Sequence, residues 1–410
     1  MNIRPILSTL LRHKTAAALI VLEIALSCAI ICNALFLIGA RLAQINEVSG
    51  IADNELVRVQ LTSIGKSEND DAQTRSDLAL LRGLPGVKNA TVVNQIPFVN
   101  SSWNSGVMMS KDQKQPTLHA TVYMAENAFI DTLGLKLVAG RNFNANEYID
   151  YSVVNSPDYK GSVPAAIITR SMADKLFPDG NAVGKVFYSW GDNAIPIVGV
   201  VETLVRPSQQ GGPEGHGDSM IFPIRPSFNV GGNYLIRTDA NRRDEVLKAA
   251  VAALRGNGPT RIIVDDSTKS MQALRTEYYQ GQRSMVWLLA GVIVALLVVT
   301  ALGIVGLASF WVQQRTKQIG IRRALGATRG EILRYFQLEN FLLASIGIAL
   351  GMLLAYAINQ LLMSKYELPR LPLFYLPIGA VALWLLGQFA VFWPARRGAA
   401  VPPAVATRSA

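Results

Sequence analysis

The sequence predicts a membrane protein: four transmembrane α-helices, with a large extracytoplasmic α/β (α+β) domain inserted between the first and second. Three observations carry that prediction. Four apolar segments of spanning length punctuate a 410-residue chain that is 50% hydrophobic. A polar stretch, 41–284, separates the first of them from the second. The charge is also partitioned. Of 39 Lys/Arg and 29 Asp/Glu, the membrane portion holds 14 bases and 4 acids, which leaves 25 of each in 41–284. The net +10 therefore belongs to the membrane flanks, and the large domain is neutral. A basic chain often signals nucleic acid. Here the bases sort topology instead, and no nucleic-acid partner is expected.

Taken in order, residues 1–14 place Ile3, Ile6, Leu7, Leu10 and Leu11 on one helical face, with Arg4, Arg12 and Lys14 elsewhere. This suits a cytoplasmic interfacial helix leading into span one, 15–40. Ala25-Leu-Ser-Cys28 faintly resembles a lipoprotein processing site, but the apolar run continues to Ala40, so a retained anchor is expected. Span one carries Glu23, and an intramembrane acid is by default a functional candidate. The competing reading is a shallow carboxylate that snorkels or pairs near the cytoplasmic interface. Cys28 and Cys32, the only cysteines, lie in the same span, so the exported domain has no disulfide and must be held by packing.

Within 41–284, Leu56–Leu61 alternates as a strand, Asp71–Arg82 is helical, and Gly83-Leu-Pro-Gly86 stops it before a strand at Val87–Val93. Pro196–Val201, Tyr234–Thr238 and Arg261–Asp265 read as strands, and Arg242–Arg255 as an amphipathic helix. The two ends of the domain are expected to form one α/β module, with about 111–190 as an inserted subdomain. Gln209–Asp218 reads as a mobile glycine-rich loop. No helix breaker separates Thr268 from Trp311, which predicts one continuous stalk-like helix into span two, 285–311.

The remaining segments are 312–337 on the cytoplasmic side, span three at 338–362, a short periplasmic loop at 363–373, span four at 374–393 and a cytoplasmic tail at 394–410. Bases before span one and after span four put both ends inside, so the large domain is outside. Trp287, Trp311 and Trp393 sit where interfacial anchors belong. Gly347 and Gly351 in span three, and Gly303 and Gly306 in span two, allow close helix packing within this chain or against a partner.

The segment 312–337 carries six bases, which topology alone explains. Topology does not explain Ile319, Ile321, Ala324 and Leu325 interleaved with Arg322 and Arg323, as on a helix lying on a surface. Nor does it explain Gly320, the break at Gly326-Ala327, or Thr328 and Glu331 spaced as a capping box for a new helix.

Those residues carry a resemblance. Lys317-Gln-Ile-Gly-Ile-Arg-Arg-Ala-Leu-Gly-Ala-Thr328 resembles the signature of MacB-type ABC transporter permeases with an FtsX-like membrane domain. Lys317-Gln318 stands in place of the usual Arg-Glu pair. Gly134–Phe143, Leu176-Phe-Pro, Val183-Gly-Lys185, Ile197–Val201 and Pro394-Ala-Arg-Arg are similar to further landmarks of the family, in the same order. The resemblance implies a MacB-like periplasmic core domain and an inner-membrane location in a bacterial cell. It also implies a dimer, either a homodimer or a heterodimer with a related permease, resting on a dimer of cytoplasmic ABC ATPase subunits. In tripartite members a periplasmic adaptor and an outer-membrane channel follow. ATP binding closes the ATPase pair and moves the periplasmic domains, which is mechanotransmission. Ile319, Gly320, Ile321, Arg322, Arg323, Ala324, Leu325, Gly326, Ala327, Thr328 and Glu331 then become the expected ATPase-coupling residues.

No phosphate-binding G-x-x-x-x-G-K-[ST] occurs, so the chain is not expected to be catalytic, and ATP and Mg are expected in the partner ATPase. His13, His119 and His216 are too scattered for a metal site, and His216 with Glu214 and Asp218 reads as solvated loop. Export of a periplasmic substrate is the leading expectation. Activation of a periplasmic partner, or extraction of lipoproteins or lipids, would use the same layout.

Overall fold

The computed structural model describes residues 14–63, 69–100, 102–159, 161–191, 193–209, 215–258, 261–366 and 370–400. It forms two compact units, residues 47–280 and the membrane portion on either side of them. The interfacial helix expected before Lys14 and the last ten residues lie outside the described residues.

The first long helix, α1 (Lys14–Ile45), is apolar over spanning length. The domain then opens with β1 (Leu56–Ser63), α2 (Asp70–Arg82) and β2 (Val87–Val93). Nine strands follow: β3 (Asn104–Val107), β4 (Leu118–Met124), β5 (Leu137–Gly140), β6 (Ile149–Asp150), β7 (Ala166–Thr169), β8 (Val186–Tyr188), β9 (Ala194–Val201), β10 (Ser219–Phe222) and β11 (Ile224–Arg225). Helix α3 (Arg170–Leu176) follows β7 directly. The domain closes with β12 (Asn233–Thr238), α4 (Arg243–Gly256), β13 (Arg261–Ile263), β14 (Lys269–Ser270) and α5 (Met271–Tyr278).

The two ends of the domain do meet. Strands β13-β1-β12-β2 form an antiparallel sheet, with β14 also paired to β1. Leu78, Leu81, Val246, Ala250 and Leu254 of α2 and α4 pack on its Val57, Val59, Val92 and Ile236. With no disulfide available, a buried polar knot joins these elements. Asp77 pairs with Arg261 and accepts from the Tyr234 hydroxyl at 2.6 Å and from Asn257 at 2.8 Å. Breaking one partner of such a knot strands a buried charge, which is costlier than losing an exposed pair.

The second sheet, β3-β4-β10-β7-β9-β5 with β8 on β9, is wider than the insertion at 111–190. It draws in β3 and β10, and it captures β9, which was expected in the first module. β9 runs parallel to β7 and antiparallel to β5. Its buried side chains Ile195, Ile197 and Val200 are apolar enough for either core, and only the pairing decides. The loop before β10 also differs from expectation. Residues 210–214 lie outside the description, but His216 and Asp218 are buried. His216 Nε2 lies 3.1 Å from Glu47, and Asp218 accepts from Ser171 at 2.7 Å and Lys175 at 2.6 Å.

Four helices complete the chain: α6 (Gln280–Gln314), α7 (Thr316–Ala324), α8 (Arg329–Tyr366) and α9 (Tyr375–Ala399). The continuous helix expected from Thr268 is interrupted. Ser270 caps α5, accepting from the Ala273 N–H at 3.2 Å, and helical structure breaks at Tyr279. No proline lies at the break, and Gly281 is already inside α6. Tyr279 is buried against Phe98 and Tyr278, and its hydroxyl accepts from Gln209 at 3.0 Å.

Among the membrane helices α8 packs along α1, with α9 against both. Gly347 and Gly351 make the α1 approach possible: a β-carbon on them would lie 2.9 Å from Ile24 and 2.5 Å from Cys28. The small-residue pair therefore serves a neighbour within this chain. Asn33 donates to the Ala355 carbonyl at 3.1 Å, and Gly379 of α9 sits over the Cys32 sulfur. Helix α6 is the most open of the four; its buried residues are Thr300, Ile304, Ala308, Trp311 and Val312.

Candidate coupling site

The expected coupling residues fold as one compact corner. Helix α6 turns into α7 at Arg315, whose guanidinium is buried. Its Nη1 donates to both Glu339 oxygens, at 3.1 and 2.8 Å, and the group lies 5.7 Å from the centre of the Trp311 ring. Glu339 lies on α8 and is itself buried. The pair therefore ties the start of α7 to span three across 24 residues of sequence.

Alternation along α7 separates two faces. Ile319 and Gly320 turn inward, and Ile319 joins Val312, Ile332, Phe336, Ala395 and Ala399 in a small core shared by α6, α8 and α9. The outward face carries Ile321, 47% exposed, Ala324, and Leu325, 83% exposed. Ile319 was grouped with these as a surface contact; the structure makes it the anchor beneath them. Arg322 extends over the Tyr335 ring at 5.2 Å, and Arg323 is half-buried.

The turn after α7 is closed from both sides. Gly326 adopts φ +100°, the left-handed region that favours glycine. Its N–H bonds the Arg323 carbonyl at 3.1 Å, and Ala327 N–H bonds the Arg322 carbonyl at 3.0 Å, which is the Schellman pattern. Thr328 then opens α8. The Glu331 N–H donates to its hydroxyl at 3.2 Å, and the Glu331 carboxylate accepts the Thr328 N–H at 2.8 Å, forming the expected capping box. Two helices are thus joined through four residues, 325–328, with their end groups paired.

The other expected residues lie elsewhere. Gly303 of α6 faces the Glu23 carboxylate, which would overlap any β-carbon there, while Gly306 faces open space. One turn on, Ser27 and Thr300 share a hydrogen bond at 2.8 Å. Sequence inspection missed two functional-looking features: the Arg315–Glu339 pair and the Ser27–Thr300 contact. The available signal was polar residues inside or beside apolar runs, but partners 24 and 273 positions apart are not local information.

Among the described residues no group of three or more His, Cys, Asp or Glu could hold a metal ion. In the large domain, a cavity of about 470 Å³ is lined by Arg75, Arg82 and Arg225. These pair with Asp150 at 3.5 Å, Glu126 at 2.8 Å and Asp150 at 3.5 Å respectively, and with Asp71 as the third acid of the lining the cavity is charge-balanced.

Comparison with known proteins fits this layout. The profile of the MacB-like periplasmic core domain matches residues 17–254, and that of the FtsX-like permease C-terminal matches residues 290–403. Over 407 residues, 96% of this chain, it is 25% identical to the macrolide export ATP-binding/permease protein MacB of Pasteurella multocida. The chain spans only 58% of that relative's length. It is 24% identical to the uncharacterized ABC transporter permease YknZ of Bacillus subtilis, covering 99% of this chain and 98% of the relative. Among solved structures, the extracellular domain of the noncanonic ABC-type transporter YknZ from Gram-positive bacteria is matched over 51% of this chain and 99% of that one. The identity is 18% and the TM-score 0.32. Four spanning helices and the periplasmic core domain place the protein in the inner membrane, with its large domain on the periplasmic side. The chain belongs to the MacB-type ABC transporter permeases with an FtsX-like membrane domain.

Proposed function

We propose that this permease converts ATP hydrolysis by a separate cytoplasmic ABC ATPase into movement of its periplasmic domain, most simply to export a periplasmic substrate. The observation that carries this reading is the outward apolar face of α7, made of Ile321, Ala324 and Leu325. Isolated apolar residues on a surface need no explanation, but these stand on a helix locked at both ends to spans two and three. A groove on the ATPase would bury this face, with Arg322 and Arg323 at its rim. ATP and Mg belong to that partner, and this chain contributes no catalytic group. Two permease copies, alike or related, would rest on an ATPase pair. The Pasteurella multocida relative is named for macrolide export and for an ATP-binding part, which supports the export direction.

Replacing Leu325 with Asp puts a charge into the proposed contact while leaving the membrane core untouched. The assembled complex in lipid is expected to lose at least about 90% of permease-stimulated ATP turnover, because burying an unpaired carboxylate costs several kcal/mol. Membrane insertion, read by protease accessibility, should be unchanged. Full stimulated turnover in the variant would remove α7 as the coupling contact.

A further inference from the structure

The cavity of the large domain is balanced in total but not in place. Its walls come from the two sheet modules. Asp71, Arg75 and Arg82 stand on one face of α2, opposite Glu126 after β4, Asp150 of β6 and Arg225 of β11. Arg82 and Glu126 form the settled part. Arg82 gives Nε and Nη2 to the Ala90 carbonyl at 3.0 and 2.7 Å, and its Nη2 reaches Glu126 at 2.8 Å. Glu126 also accepts from the Thr91 hydroxyl at 3.3 Å and the Ala128 N–H at 3.0 Å, so neither charge is left over.

The rest of the lining is unevenly matched. Arg75 and Arg225 converge on one carboxylate, Asp150, each at 3.5 Å, which is longer than an ordinary charge-assisted hydrogen bond. Those three groups carry one positive charge in excess. Asp71 carries the compensating negative charge, but among the described residues no ion pair includes it, and its Oδ2 accepts from the Ser152 hydroxyl at 2.6 Å. Asp71 and Arg75 lie one turn apart on α2, about 6 Å along its axis. The lining beside them is apolar, with Leu78, Ala79, Val92 and Pro226. The volume, about 470 Å³, lies in the range of small-molecule sites. The cavity therefore offers two unspent charges of opposite sign, set apart over an apolar floor.

We propose that this cavity binds a small zwitterion with an aliphatic spacer, an ω-amino acid whose ammonium and carboxylate stand about one helical turn apart. Its ammonium pairs with Asp71. Its carboxylate joins Asp150 between Arg75 and Arg225, so that two guanidinia meet two carboxylates and the excess charge is cancelled. The spacer lies on Leu78 and Val92. An ion of one sign gains at one end only and leaves the other charge unmatched, which is what makes the site selective. Because the walls belong to different sheets, the ligand also ties the two modules together. Both walls come from a single copy, and binding requires neither ATP nor an ATPase, so the site stands or falls separately from the role of α7.

The full chain in phosphatidylcholine nanodiscs offers a direct test by saturation-transfer NMR titration, with empty nanodiscs as the baseline. The probes are 5-aminopentanoate, whose extended chain has about the required span, and pentanoate and pentylamine, which each lack one charge. The zwitterion should bind at least about tenfold more tightly than either, the worth of one charge-assisted hydrogen bond. Asp71→Asn should remove its advantage over pentanoate and keep its advantage over pentylamine. Arg75→Gln should do the reverse, cutting the advantage over pentylamine by at least about half, since Arg225 remains. Glycylglycine sets its charges equally far apart on a peptide-bond spacer and should bind more weakly on the apolar floor. Thermal unfolding of each variant separates loss of binding from loss of fold. Equal binding of the zwitterion and the two single ions by the unaltered chain would overturn the site, as would glycylglycine binding as tightly as 5-aminopentanoate. So would an advantage over pentanoate that survives in Asp71→Asn, or, should that variant not fold, an undiminished advantage over pentylamine in Arg75→Gln.

Discussion

Two seams in the membrane unit are built on opposite principles. Between spans one and three, Gly347 and Gly351 bring the backbones together until Ile24 and Cys28 fill the space a side chain would need. Asn33 then crosses to the Ala355 carbonyl. Span two meets span one by a hydroxyl pair and by a carboxylate resting on Gly303, and much of its length remains exposed. Near its cytoplasmic end the pattern reverses, and Arg315–Glu339 fastens it to span three. Close packing makes a block of spans one, three and four. Span two is tied to that block firmly at one end and lightly along its length.

The contrast can be broken most severely at the tie. Arg315→Ala leaves the Glu339 carboxylate buried without its partner and should cost about 3–5 kcal/mol in unfolding measurements. Replacing both, Arg315→Met with Glu339→Leu, should recover most of that; failure to recover would mean the pair does more than cancel charge. A smaller effect is expected from overfilling the seams. Gly351→Leu should destabilise by about 1–3 kcal/mol because the new side chain meets Cys28. Gly306→Leu, facing open space, should change stability by less than about 0.5 kcal/mol. Equal losses at the two glycines would erase the distinction between seams. The mildest probe is Thr328→Ala, which removes a cap for about 1 kcal/mol. Its signature should be faster hydrogen exchange in the first turn of α8, with α1 unaffected.

How much of this was legible in the sequence depended on distance along the chain. The Thr328–Glu331 box and the glycine stop before it were readable because both are contained within six residues. The spacing of Gly347 and Gly351 announced a close approach, but not that span one makes it, since the partner lies over 300 positions away. Ile319 and Ile321 looked equivalent, and only the packing of Ile332, Phe336 and Ala395 behind α7 turns one inward. The same limit placed β9 in the other sheet, because Ile195, Ile197 and Val200 suit any apolar core. Tyr279 stands at the interruption of its helix with tertiary contacts to Phe98 and Gln209, which are not local information.

The closed turn at 325–328 has a mechanical meaning. Helix ends usually give: their last turns fray, and a displacement at one helix is partly absorbed before it reaches the next. Here the carbonyls closing α7 and the amides opening α8 are already committed to each other's turn residues, and Gly326 holds the angle between them. Such a joint has little slack. A shift of a few ångströms at Leu325 would reach span three as a change in its tilt, so the stroke at the far end would be set by the length of the helix.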